Sequence, residues 1–189
     1  MKHLIIYAHP NPESLNAQLK QTVVKHLQNN GHEVEVRDLY QLGFNPVMSL
    51  ADVQGQRKGK VADEVKREQD FIVWADSITF IHPIWWTGLP AMMKGYIDRV
   101  FSYGFAYRYD LGVQKGLLTG KQSVIINTQG KSHEEYEAIG MDNALSLTSN
   151  IGIYAYCGLT IKKHFFFDKA DRTTAEKIEE WKEQVKEVY

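Results

Sequence analysis

Three apolar runs are spread along the chain: LIIYA (4–8), SITFIHP (77–83) and SVIINT (123–128). Runs this short with no polar alternation read as strands buried on both faces, and such strands belong to parallel sheets. Parallel neighbours need long crossovers, usually a helix each, and helical spacing fills the gaps. Leu15, Leu19, Val23 and Leu27 recur every four residues behind Ser14 as N-cap, in a stretch ending near Gly31. Residues 61–75 and 142–156 are predicted helical, and Ala91–Phe101 pairs Met92/Met93, Tyr96/Ile97 and Val100/Phe101 at helical spacing. Thr173 with Glu176 fits a capping box ahead of the stripe Ile178, Trp181, Val185 and Val188. A further strand is expected in LTIKKHFFF (159–167), and HEVEVRDL (32–39) alternates strictly, as a half-exposed edge strand does. Five strands alternating with helices, the second at an edge, favour a doubly wound three-layer α/β sandwich of order 2-1-3-4-5.

With 189 residues, no repeats and no low-complexity linker, the chain is expected to form one domain over 1–189. Net charge is −1, which gives no footprint for nucleic acid or an anionic membrane, and the short basic run Arg57, Lys58 and Lys60 reads as a solvated loop. Cys157 is the single cysteine, so no intramolecular disulfide forms. Without a signal peptide pattern or a run near the ~18 apolar residues that cross a bilayer, a cytoplasmic location is expected, with no membrane insertion.

In an open sheet of this order, ligands sit beyond the carboxyl ends of the strands, where the order reverses. The loops that meet there are HPNPESLNAQ (9–18), PIWWTG (83–88) and TQGKSHEEY (128–136), which hold the most unusual stretches of the sequence. The first ends at a helix N-terminus, where free N–H groups favour an anion such as phosphate, with Ser14, Asn16 and His9 as side-chain donors. A plain N-cap at Ser14 and an internally satisfied His9 is the alternative. Trp85 and Trp86 cannot both point into a core from a strand. They suit shielding a planar ring, or else packing under a helix and at a protein interface. The third loop offers Thr128, Gly130 for close backbone approach and the Tyr136 hydroxyl for developing negative charge; His133 reads as solvated. No G-x-G-x-x-G, G-x-x-x-x-G-K-[ST] or G-x-S-x-G motif is present, and no metal-ligand spacing occurs among the histidines.

The stretches IIYAHPNPESLN, HPIWWTGLPAMMKGYIDRVFSYGFAY, the Thr-x-Gly loop and YCGL (156–159) resemble the flavodoxin-like NAD(P)H:quinone oxidoreductases. That family includes mammalian DT-diaphorase and the bacterial ancillary subunits of glutathione-gated potassium efflux systems. The resemblance implies a flavodoxin-like fold and a bound flavin. His9, Ser14, Leu15, Asn16 and Gln18 would surround its phosphate and ribityl chain. The backbone of Pro83, Ile84, Trp85 and Trp86 would line the isoalloxazine, and Thr128 and Gly130 would reach its pyrimidine edge. Tyr107 and Tyr109 match tyrosines that close the neighbouring subunit's site, which implies a homodimer. Tyr136 matches the family's active-site tyrosine, but the sixth residue after it is Asp142 rather than histidine, and the loop is one residue longer. The chain ends at Tyr189 without the extension that helps bind the adenine half of FAD in mammalian members, which favours FMN.

The expected activity is two-electron reduction of quinones by NAD(P)H in a ping-pong cycle, with Tyr136 and loop N–H groups stabilising charge on reduced flavin. A regulatory subunit partnering a membrane potassium transporter and an azo- or nitro-reductase are the alternatives.

Overall fold

The computed structural model describes all residues, 1–189. Its elements in order are β1 (Lys2–Tyr7), α1 (Leu15–Asn29), β2 (Glu33–Asp38), α2 (Leu50–Gln56), α3 (Asp63–Trp74), β3 (Ser77–Pro83), α4 (Ala91–Val100), β4 (Tyr107–Asp110), β5 (Val113–Gly116), β6 (Gln122–Thr128), α5 (His133–Glu137), α6 (Met141–Ser146), a π-helical stretch (Leu147–Ala155), β7 (Thr160–Phe167) and α7 (Ala175–Lys186). Five strands form one parallel sheet, β2-β1-β3-β6-β7. Numbered within the sheet, this is the expected 2-1-3-4-5. All seven residues of β3 are buried, as its unbroken apolar run requires, whereas Glu33 and Glu35 of the edge strand β2 face solvent.

Each sheet face has its own core. Leu4, Ile6, Ile78, Phe80 and Ile125 pack against α3, α4 and the π-helical stretch through Val65, Ile72, Met93, Tyr96 and Tyr154. Alternate residues Ile5, Tyr7, Ile81, Val124 and Ile126 pack against α1 and α7 through Leu19, Val23, Leu27, Trp181 and Val185. At about 1.5–3 kcal/mol per fully buried aliphatic side chain, these two layers are the main force holding the sheet.

Several local expectations change. Helix 142–156 is a short α6 followed by nine residues of π-helix, a geometry rare in proteins and often found near functional sites. The last helix is capped one residue later than its spacing predicts: Thr174 Oγ1 accepts the Lys177 N–H at 3.3 Å. Between α4 and β6 lies an antiparallel hairpin of β4 and β5 that no alternation announces. Its turn places Leu111 (φ 51°) and Gly112 (φ 82°) in the left-handed region. The hairpin's base docks on residues 157–158: Leu118 N–H donates to the Cys157 carbonyl at 2.8 Å, and a Cβ on Gly116 would lie 2.3 Å from the Gly158 nitrogen. Only glycine permits that approach.

Candidate active site

The three rim loops touch one another in pairs. Asn16 Nδ2 donates to Thr128 Oγ1 at 2.8 Å, joining the loop after β1 to the end of β6. The His9 and Trp85 rings lie 5.8 Å apart, joining the same loop to the one after β3. Ile84 N–H donates to the Thr128 carbonyl at 2.8 Å, extending the Pro83–Thr128 register of the sheet and closing the triangle.

The first loop is organised by its own polar residues. Ser14 Oγ accepts the Ala17 N–H at 3.1 Å as N-cap and lies 3.3 Å from the Tyr7 hydroxyl. His9 Nδ1 accepts the Asn11 N–H at 3.0 Å, so its ring is held by its own loop. Partial burial lowers the His9 pKa, although a backbone hydrogen bond at Asn11 opposes the shift. No acidic residue occupies the first turn of α1, so its N-terminal positive end is uncompensated within the helix. Leu15, the first residue of α1, is half-buried against the core, and Gln18 is half-buried one turn further on.

The second loop carries strain. Trp86 (φ 51°) and Thr87 (φ 55°) are consecutive non-glycine residues in the left-handed region, fixed by reciprocal hydrogen bonds of 3.1 Å between Trp85 and Gly88. Each such residue costs on the order of 1–3 kcal/mol, and a bulky Trp is among the least suited to it. Trp86 regains nothing by packing, because it is 101% exposed, and Trp85 is 42% exposed. The Trp86 indole therefore packs under no helix. A strained backbone that displays two indoles at a sheet's carboxyl rim has the character of a binding site rather than of a core.

In the third loop Gly130 is exposed and a Cβ there would meet only Asp171 Oδ1 at 3.6 Å, so the chain itself does not demand glycine. Tyr136 is half-buried and lines a cavity of ≈ 290 Å³ with Gln129, His133, Asp142 and Phe166. His133 is exposed, as expected, and also tied down: its Nε2 lies 3.0 Å from the Phe166 carbonyl and its backbone N–H donates to Asp168 Oδ2 at 3.1 Å. It pins the loop to β7. Tyr107 and Tyr109 lie elsewhere, in a groove of ≈ 800 Å³ with Tyr103, Phe101, Ile153 and Tyr156 that shares no lining residue with the Tyr136 cavity. The Tyr109 and Tyr156 hydroxyls are 2.8 Å apart, and this bond is the main reason the Tyr156 pKa rises to about 12.

Sequence reasoning missed several residues here. Asn16 Oδ1 and Gln129 Oε1 are buried acceptors with no donor in the chain. His82 and Asn127, buried near the ends of β3 and β6, form a polar cluster with the half-buried His164 in the middle of β7. Burial keeps both imidazoles neutral, lowering His82 to about 4 and His164 to about 3. The available signal was a polar residue near the carboxyl end of two apolar runs, in FIHP and INTQ, and His164 had none.

Comparison with known proteins bears directly on this rim. A family model described as flavodoxin-like fold matches residues 1–188. A Haemophilus influenzae protein described as an uncharacterized NAD(P)H oxidoreductase is 41% identical over 160 residues, which cover 84% of this chain and 79% of that protein. The NAD(P)H dehydrogenase [quinone] 1 of Cavia porcellus is 32% identical over 84% of this chain and 65% of its own length. Among solved structures, a Klebsiella pneumoniae protein provisionally described as a quinone reductase superposes with a TM-score of 0.90 at 32% identity, covering 99% of this chain and 83% of that one.

Proposed function

Because the chain belongs to the flavodoxin-like NAD(P)H:quinone oxidoreductase family, we propose that it is a flavoprotein enzyme that passes two electrons from NAD(P)H to a quinone, with FMN as cofactor and 1–189 acting as one unit. The observation that carries this reading is the mutual contact of the three rim loops around Asn16, Ile84, Trp85 and Thr128. The residues present fit a flavin. Asn16 Oδ1 and Gln129 Oε1 lack donors, and a flavin brings donors in its ribityl hydroxyls and ring imide. The N-terminus of α1 offers a phosphate its N–H groups and its dipole.

A bound flavin supplies hydride exchange, accepting from the nicotinamide and returning to the acceptor. Ser14, Asn16 and Gln18 hold the phosphate and ribityl end, with His9 over it and Leu15 as its apolar support. The backbone from Pro83 to Trp86 would line the ring, and the exposed indoles would exclude water from one edge. Thr128 and Gly130 set the pyrimidine edge. Tyr136 would offer its hydroxyl as a hydrogen-bond donor to negative charge on a reduced flavin held there. Two copies form a homodimer in which Tyr107 and Tyr109 of each cover the other's site.

Alternate use of one slot by NAD(P)H and quinone requires a ping-pong cycle. Initial rates of NADH oxidation at several fixed quinone concentrations test it. Parallel double-reciprocal lines are expected; intersecting lines contradict a shared slot, and no quinone-dependent oxidation contradicts the activity.

A further inference from the structure

The rim residues assigned above leave a chain of buried and half-buried polar groups unused. On the face of the sheet covered by α3, α4 and the π-helical stretch, the inward series runs Ile78–Phe80 and then His82 in β3, and Ile125 and then Asn127 in β6. His82 and Asn127 are each 3% exposed. His82 Nδ1–H donates to the Pro83 carbonyl at 3.0 Å. Asn127 Nδ2 donates to the His82 carbonyl at 3.0 Å, and Asn127 Oδ1 accepts from His164 Nε2–H at 2.7 Å. His164 Nδ1 lies 2.7 Å from Asn150 Oδ1, in the π-helical stretch.

With His164 neutral, one order of donors satisfies these contacts. Asn127 is oriented by its bond to the His82 carbonyl, so its oxygen faces His164. A neutral imidazole has one N–H, already given to Asn127. Nδ1 is therefore an acceptor, and a half-turn that sets the Asn150 NH₂ against it completes the chain. His164 also stacks on Phe166 with ring centroids 3.9 Å apart, which fixes its plane.

An apolar filling of the same volume would hold the sheet without any of these partners. Buried polar networks define orientation rather than add net stability, and a half-satisfied one is costly. The two ends are informative: one is the Pro83 carbonyl, where the strained Trp86 loop begins, and the other is Asn150, deep in the rarest helical geometry of the fold.

We propose that His82, Asn127, His164 and Asn150 form a positioning strut that fixes the carboxyl ends of β3 and β6 as the edge a flavin docks against, and that anchors this edge to the π-helical stretch. The four are positioning residues and touch no reacting atom. Asn127 carries the load to Thr128, its chain neighbour, and His82 carries it to Pro83. The proposal rests on the flavin reading of the rim and adds to it the source of the rim's rigidity.

Two substitutions act on the strut away from the rim. Asn150→Ala removes the far partner at a half-buried position, and His164→Phe keeps the stack on Phe166 while deleting both ring nitrogens. The readouts are FMN affinity of the apoprotein, followed by quenching of flavin fluorescence, and thermal unfolding of the same apoprotein. Each variant is expected to bind FMN about tenfold more weakly, the scale set by a sub-ångström loss of alignment. The double variant should bind no more weakly than His164→Phe alone, because both changes break one chain. Should His164→Phe fail to fold, Asn150→Ala carries the test. Unchanged FMN affinity in a folded variant, even with a lowered melting temperature, makes the cluster core filling and overturns the strut alone. Wild-type apoprotein that takes up no FMN overturns the flavin reading and the strut with it.

Discussion

Trp86 concentrates at one residue the conflict between stability and binding. Its indole is fully exposed, and its backbone sits where glycine belongs. Trp86→Gly removes that strain and loses no burial, so the apoprotein should become more stable by about 1 kcal/mol, read as a rise of about 2–4 °C in melting temperature. FMN affinity should fall in the same variant; a less stable variant would contradict the strain. Tyr136→Phe keeps the ring in its cavity and removes the donor. Turnover should fall by on the order of 10²-fold with FMN affinity unchanged, and unchanged turnover would remove Tyr136 from the chemistry. His82 gives a pH signature with a definite sign. Burial lowers its pKa from 6.5 to about 4, so below pH 6.5 the unfolded chain takes up a proton that the folded chain refuses. Stability is therefore full above pH 6.5 and is lost between pH 6.5 and about 4, with His164 adding to the loss down to about 3. Each contributes at most about 1.4 kcal/mol per pH unit, and urea midpoints across that window measure it. A flat midpoint would mean that the imidazoles are not held neutral.

At the scale of elements, what was legible depended on how each element is stabilised. β3 and α1 were readable because burial alone dictates them: an unbroken apolar run and a stripe at four-residue spacing behind a serine cap. The hairpin of β4 and β5 was not. Its strands are only four residues long and only Tyr107 packs against a core, and it is held by docking on residues 157–158 and by a cross-strand ion pair from Asp110 to Lys115. The π-helical stretch has no propensity signal, since it differs from an α-helix only in which carbonyl each N–H finds. Of the site, the loop positions and the Trp pair were legible, while the His82–Asn127–His164 chain was not, because its members are far apart in sequence and adjacent only through strand register. The hairpin also yields a prediction. Tyr156→Phe deletes the 2.8 Å bond to Tyr109 with almost no change in shape. Amide exchange in residues 107–116 should accelerate while exchange in β3 and β6 stays unchanged; equal protection would mean that the base contacts alone hold the hairpin.

For the whole molecule, the parallel sheet gathers three loops, remote in sequence, at one rim and leaves Tyr107 and Tyr109 in a groove apart from it. Leu111, 105% exposed on left-handed backbone at the hairpin tip, and Ile151, 61% exposed, are apolar groups that solvent does not favour. No helix of the chain is long and apolar enough to cross a membrane. The account as a whole depends on the rim taking up a flavin that both substrates reach. Visible absorption of the FMN-loaded protein under anaerobic conditions measures this in one cuvette. The account predicts that NADH or NADPH bleaches the flavin band and that a quinone then restores it in full, one equivalent for each equivalent of nicotinamide oxidised. A chain that retains no flavin after gel filtration, or one whose band neither nicotinamide bleaches, would contradict it.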